Sequence, residues 1–277
     1  MNYEATGQIP IFTEGEFEFD AIFDHASPKI KLISVGGKNE VFKAREIIIN
    51  NRPNIKFSGF VDRDFDGIFS SQVFPEIKLT SFHDFFSEIL LRNKELIRKS
   101  IVSNSRKYHK NSKEKESILP PTIDIDSVIN TAMLIASTAT LFEIYIRIIK
   151  MNIKLGEKMI QKVDSPLSVF ETFKSYVISG CGDSDHNLEE FHDISDFIEY
   201  IENNISSFNF SDIEKYIGDH TLLSCLSKSL QMHGIANPTT TPQSIVSLVD
   251  CPHLLNLSVI QEMESFIGVH LLRCERK

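Results

Sequence analysis

The stretch Phe57-Ser58-Gly59-Phe60-Val61-Asp62-Arg63-Asp64-Phe65-Asp66-Gly67 delivers three carboxylates at alternate positions directly after an apolar run. Residues two apart on an extended chain project to the same side, so this spacing sets Asp62 and Asp64 to face one point. Like charges held that close repel unless a cation lies between them. Carboxylate oxygen suits Mg2+ or Mn2+. The chemistry on offer is metal-assisted reaction at a phosphate, with Asp66 on the edge of the site.

Other uses of these residues have to be weighed. Aspartates after strands cap helices and make turns. The run Asp62-x-Asp64-x-Asp66-Gly67 also begins like a calcium-binding EF-hand loop. Its twelfth position is Val73, where a bidentate Glu is required, and the preceding segment is strand-like. Asp64-x-Asp66-Gly67 is similar to the nucleophile motif of haloacid-dehalogenase-type phosphatases. That motif belongs on a first strand, whereas here a strand–helix–strand–helix precedes it.

The elements that must position the acids follow in order. Gln8 to Thr13 reads as a strand, followed by Glu14-Gly15 and a helix from Glu16 bearing Phe19, Ile22, Phe23 and Ala26. Ser27-Pro28 ends it. Lys29 to Val35 is a second strand closed by Gly36-Gly37, and Lys38 to Asn51 is a second helix. The aspartate-bearing strand, Ile55 to Val61, comes third. A short strand, Ile77 to Thr80, precedes a helix starting near Asp84. This alternation implies an α/β fold with parallel strands. Reactive groups of such sheets gather beyond the carboxyl ends of the strands, where Glu14, Gly36-Gly37 and Asp62/Asp64 all stand. Lys38, opening the second helix, can neutralise a phosphate together with the helix amino terminus; its plain alternative is an exposed lysine.

Beyond the sheet the character changes. Arg92 to Lys115 holds nine Lys/Arg against two Glu, in a chain whose net charge is −9. Within it Arg98, Lys99, Arg106, Lys107, Tyr108 and Lys110 form a candidate nucleic-acid-binding segment, with a solvated helix end and mobile loop as the alternative. Pro120-Pro121 marks a boundary. Helices are expected from Val128 to Met151, from Pro166 to Ser179 and within Tyr216 to Met232, with a turn from Gly180 to Asp185. Asp183 to His220 holds eleven Asp/Glu and one Lys, a solubilising face or a dock for something basic. The expected domains are 1–105, the metal-binding unit; 106–121, a basic linker; and 122–277, a mostly helical domain. The four cysteines show no metal-ligand spacing, which points to reduced, inert thiols in the cytoplasm. The apolar Val128–Ile149 stretch contains Asn130 and a Glu143/Arg147 pair, so it suits a buried core helix better than a membrane span.

Ile11-Phe12-Thr13-Glu14-Gly15 with Val61-Asp62-Arg63-Asp64-Phe65-Asp66 resembles the TOPRIM domain of topoisomerases, primases and OLD-type nucleases. That domain carries Glu-Gly after its first strand and DxD after its third. Ile33 to Val41 fits its glycine turn. Leu79-Thr80-Ser81-Phe82-His83-Asp84 resembles the segment after the DxD in a bacterial group of compact TOPRIM proteins encoded beside ABC-type ATPases, including the nuclease subunit of PARIS-type anti-phage defence. Where those proteins often have Asp four residues after the first Glu, this chain has Glu18. Two residues past His-Asp it has Phe86.

The resemblance implies that Asp62, Asp64 and Asp66 bind metal. It implies that Glu14 ligates metal or acts as general base. The expected activity is a toxic, Mg2+-dependent endonuclease cutting RNA, transfer RNA above all, when released from an ATPase partner. A DNA endonuclease of OLD type and a catalytically inactive sensor or adaptor are the alternatives. A homodimer is compatible with the helical half, although no heptad pattern marks one.

Overall fold

The structure is a computed structural model describing residues 7–69, 74–111, 123–181, 187–235, 238 and 246–274; for 104–111 it describes the backbone only. The chain forms two compact units. One contains Met1–Leu96 together with Pro242–Lys277, the other Ile97–Thr241.

In the first unit β1 (Ile9–Thr13), α1 (Glu16–Phe23), β2 (Ile30–Ser34), α2 (Lys38–Asn51), β3 (Ser58–Val61), β4 (Ile77–Leu79) and α3 (Phe85–Arg92) follow one another as expected. The four strands form one parallel sheet in the order β2-β1-β3-β4. From β1 the chain goes outward to β2 and then crosses back to β3. The gap between β1 and β3 is therefore the topological switch point, where such sheets open a crevice at their carboxyl edge.

Alternation along the strands sorts the core. Phe12, Val61 and Ile77 join Val41 and Phe57 on the face covered by α2. Phe60 packs on Phe85 of α3, with ring centroids 5.1 Å apart. Asp84 caps α3 by accepting the Ser87 N–H at 2.7 Å. That cap explains why the helix starts where the sequence suggested.

The expected domain boundaries need correction. α4 (Lys94–Asn111) runs as helix through 106–111, which the sequence reading gave to a linker. Its lysines and arginines are good helix formers and no Gly or Pro interrupts it. The final segment does not extend the helical domain. α10 (Cys251–Leu255) and α11 (Ser258–Ile267) belong to the first unit, where α11 packs against β3 and β4. The chain end is fastened there: Ser27 N–H donates to Leu271 O at 2.7 Å and Arg273 N–H to His25 O at 2.8 Å. The expectation of four free thiols is also overturned. Cys251 and Cys274 are joined, while Cys181 and Cys225 are buried and free.

The second unit is built on α5 (Ile125–Ile148), which starts at its Asp124 cap, three residues earlier than expected. It is long and apolar enough to cross a membrane, yet more than half of its apolar stretch is buried inside the protein. After the single turn α6 (Glu157–Ile160), α7 (Val169–Cys181), α8 (Ile194–Asn204) and α9 (Asp219–Met232) pack around it. Gly180, expected in a turn, lies in the last turn of α7. Phe142 and Tyr145 meet Phe173, Phe191 and Phe197 in a ring cluster, and burial pushes the Tyr145 hydroxyl up to about 12. Some of the acidic face has structural work, since Asp193 caps α8 and Glu202 accepts the Phe210 N–H.

Gly59 sits where strands approach most closely. A Cβ there would lie 3.0 Å from Phe12 O and 3.2 Å from Ile77 Cδ1. Gly59→Ala should destabilise the sheet-bearing unit by about 1–3 kcal/mol, read by urea unfolding. Thiol titration of denatured, unreduced protein should count two free cysteines.

Candidate functional site

Because β1 and β3 are hydrogen-bonded neighbours, the residues following them meet beyond the sheet edge. Glu14 turns inward there, its Oε2 accepting the Asp62 N–H at 3.0 Å. The glycine turn wraps its backbone. Gly36 and Gly37 N–H groups donate to Glu14 O at 3.0 and 2.7 Å. Both glycines have positive φ (85° and 131°), which a side chain would strain. The N–H of Lys38, first residue of α2, also supports the Glu14 carboxylate.

The Asp62 carboxylate points to the amino terminus of α3, where its Oδ1 accepts the Phe85 N–H at 3.0 Å. Around it stand Asp84, Glu14 and Glu18. Burial first, then these acids, pushes the Asp62 carboxyl well above the usual range. Burial likewise raises Glu14 and Glu18. Asp64 adds to the rise at Glu14, while Glu14 and Asp84 add to it at Glu18. Glu18 Oε2 is buried without a hydrogen-bond partner. A Cβ at residue 15 would fall 2.5 Å from that oxygen, so Gly15 leaves room for it.

The expected convergence of Asp62 and Asp64 is not what the chain does. β3 ends at Val61, and Asp64 lies in a turn with φ +51°. The alternation of an extended strand therefore stops before the second aspartate. Asp64 N–H donates to His83 O at 2.6 Å, and its carboxylate turns to Lys38. The Lys38 ammonium lies 3.0 Å from Asp64 Oδ2 and 2.9 Å from Asp66 Oδ2, and donates to Asp62 O at 2.6 Å. Burial lowers its pKa, but the hydrogen bonds it donates to Asp66 and Asp64 outweigh this and hold it raised. Lys38 is thus neither an idle surface lysine nor a free anion receptor. It is the cation of the outer acids.

The structure consequently contains an inner group, Glu14, Glu18, Asp62 and Asp84, and an outer group, Asp64, Asp66 and Lys38. Among the described residues no three His, Cys, Asp or Glu side chains form a ready-made metal cage. The inner group nevertheless suits a hard divalent cation in donor type and charge, and the orphaned Glu18 oxygen marks where positive charge is lacking. Glu18 and Asp84 were not picked as site residues from sequence. Their signals were position: one turn into the helix after Glu14, and the cap of the helix after β4.

No family model, curated protein or solved structure matches the chain.

Of the expected nucleic-acid segment, only the side chains of Arg98 and Lys99 are described. Arg98 is paired with Asp126 at 2.5 Å and Lys99 is exposed. The side chains of Arg106, Lys107, Tyr108 and Lys110 lie outside the described residues.

Raised carboxyls have a thermodynamic signature. A group whose folded pKa exceeds its unfolded one binds its proton more readily when folded. Stability therefore falls as pH rises from about 4 through the raised values. Asp62→Asn keeps an acceptor for Phe85 and removes the most strongly shifted charge. It should raise the Tm at pH 7 by about 2–4 °C, roughly 1 kcal/mol, with little change at pH 4. Calorimetry across pH decides this.

Proposed function

We propose that the protein is a divalent-metal-dependent endonuclease acting on RNA, with transfer RNA the first substrate to test. The observation that carries the reading is the Glu14–Asp62 contact at the switch point, set beside Glu18 and Asp84, so that four acids crowd one partly buried crevice. The TOPRIM resemblance supplies the substrate class. It also supplies the role of toxic effector, restrained by an ABC-type ATPase, in anti-phage defence. The cytoplasm, where transfer RNA is found, is the proposed location; a Cys251–Cys274 bond would there face reductants.

Glu14, Asp62, Glu18 and Asp84 would hold Mg2+ or Mn2+, with Asp64 and Asp66 flanking. When bound, the metal would polarise the phosphoryl oxygen and lower the pKa of water. The rest is work for the chain's own groups. Glu14, whose carboxyl burial raises above its ordinary value, is suited to take a proton from the attacking water. Lys38 and the amino terminus of α2 favour a phosphate beside the outer acids. For Lys38 to serve a phosphate it must exchange Asp64 or Asp66 for it.

A second reading has its own support. The Lys38 bridge holds both Asp64 and Asp66 in ion pairs with the protein's own lysine, as a catalytically idle sensor or adaptor would have them. Incubation of purified protein with transfer RNA and duplex DNA in Mg2+ or Mn2+ separates the possibilities. Cleavage of RNA is expected, reduced about 100-fold or more in Glu14→Ala and Asp62→Asn. Preference for duplex DNA would favour the OLD-type alternative. Intact nucleic acids, with unaltered biological activity in Asp62→Asn, would leave the idle module.

A further inference from the structure

We propose that Glu88 is a positioning residue through which the C-terminal helix α11 fixes the geometry of the acidic crevice. The proposal rests on the reading of that crevice as the working site. Glu88 is completely buried. One carboxylate oxygen accepts the Ser258 N–H at 2.9 Å and Arg92 Nε–H at 3.0 Å; the other accepts the Ser81 N–H at 2.8 Å. Arg92 also donates to Ser258 Oγ at 2.7 Å and lies over the Phe82 ring. Burying a carboxylate, even one paired with a half-exposed arginine, is often no better for stability than apolar residues of the same volume. What this one achieves is to lock the start of α11 to the loop 80–84.

That loop holds the acids. Thr80 Oγ1 accepts the Arg63 N–H at 2.9 Å and Thr80 O accepts Arg63 Nε–H at 2.9 Å. His83 O accepts the Asp64 N–H, and Asp84 faces Asp62. Displacing Ser81 would thus shift the backbone carrying both Asp62 and Asp64. α11 is itself anchored at the far end of the chain by the Leu271 and Arg273 contacts and by the Cys251–Cys274 bond. The last segment of the sequence is part of the site without touching it.

Ser258→Pro tests this cleanly. Ser258 is the first residue of α11, where proline is favoured, and Leu257 (φ −75°, ψ 130°) already has the backbone a proline requires before it. The substitution removes the N–H bonded to Glu88; Ser258→Ala removes only the hydroxyl. Hydrogen exchange of the 80–85 peptide and Mn2+ affinity would be measured in both variants and in Glu88→Gln. Ser258→Pro and Glu88→Gln should speed exchange of 80–85 by about tenfold with β1 and β3 unchanged, and weaken Mn2+ binding by about 10–100-fold. Ser258→Ala should match the wild type in exchange. Exchange of 80–85 in Ser258→Pro equal to that in Ser258→Ala would overturn the proposal. If the wild type itself fails to bind Mn2+ while the loop still loosens in Ser258→Pro, the tie stands and the metal reading alone falls.

Discussion

Parallel pairing of β1 with β3 is the constraint on which the rest of the first unit depends. It forces the residues after two strands, distant in sequence, to share one crevice. Those residues are a glutamate and an aspartate, and the turn into α1 and the cap of α3 add two more acids. The fold thereby concentrates negative charge where part of the water has been excluded. Such an arrangement opposes folding, because burial and mutual repulsion both penalise the ionised forms. Backbone N–H groups at the starts of α2 and α3 offset part of the cost.

The outer acids solve the same problem differently. Asp64 adopts a left-handed backbone, an uncommon conformation for a residue other than glycine, and in doing so presents its carboxylate to Lys38. One ammonium then serves two carboxylates and a main-chain carbonyl. The DxD segment thus divides its labour, with the first aspartate turned inward against the helix and the later ones turned toward the lysine. Local strain kept at such a point is common where structure serves chemistry before stability.

Much of this was legible in the sequence. Hydrophobic periodicity and glycine punctuation located every strand and helix of the first ninety residues to within a few positions, and α2 without error. The convergence of Glu14 on Asp62 followed from strand order. What failed were inferences that extended a local rule past its element. Alternation was carried beyond Val61 into a turn, where it no longer applies. Charge density at 106–111 resembles that of a loop, yet lysine and arginine are helix formers and the helix runs on through it. The return of 251–274 to the sheet-bearing unit could not be seen, because no periodicity records which surface a helix covers. The pairing of Cys251 with Cys274 is similarly a consequence of that return.

The discontinuity of the first unit has a temporal side. Chains emerge from the ribosome amino end first, and domains assemble as they become available. Residues 97–241 are complete before Pro242 is made, whereas the sheet must wait for the last turns of α11 and the strand-like tail beside Ala26. During translation the crevice therefore exists only as an unsecured assembly. Its final fastening waits on the segment from Cys251 to Cys274.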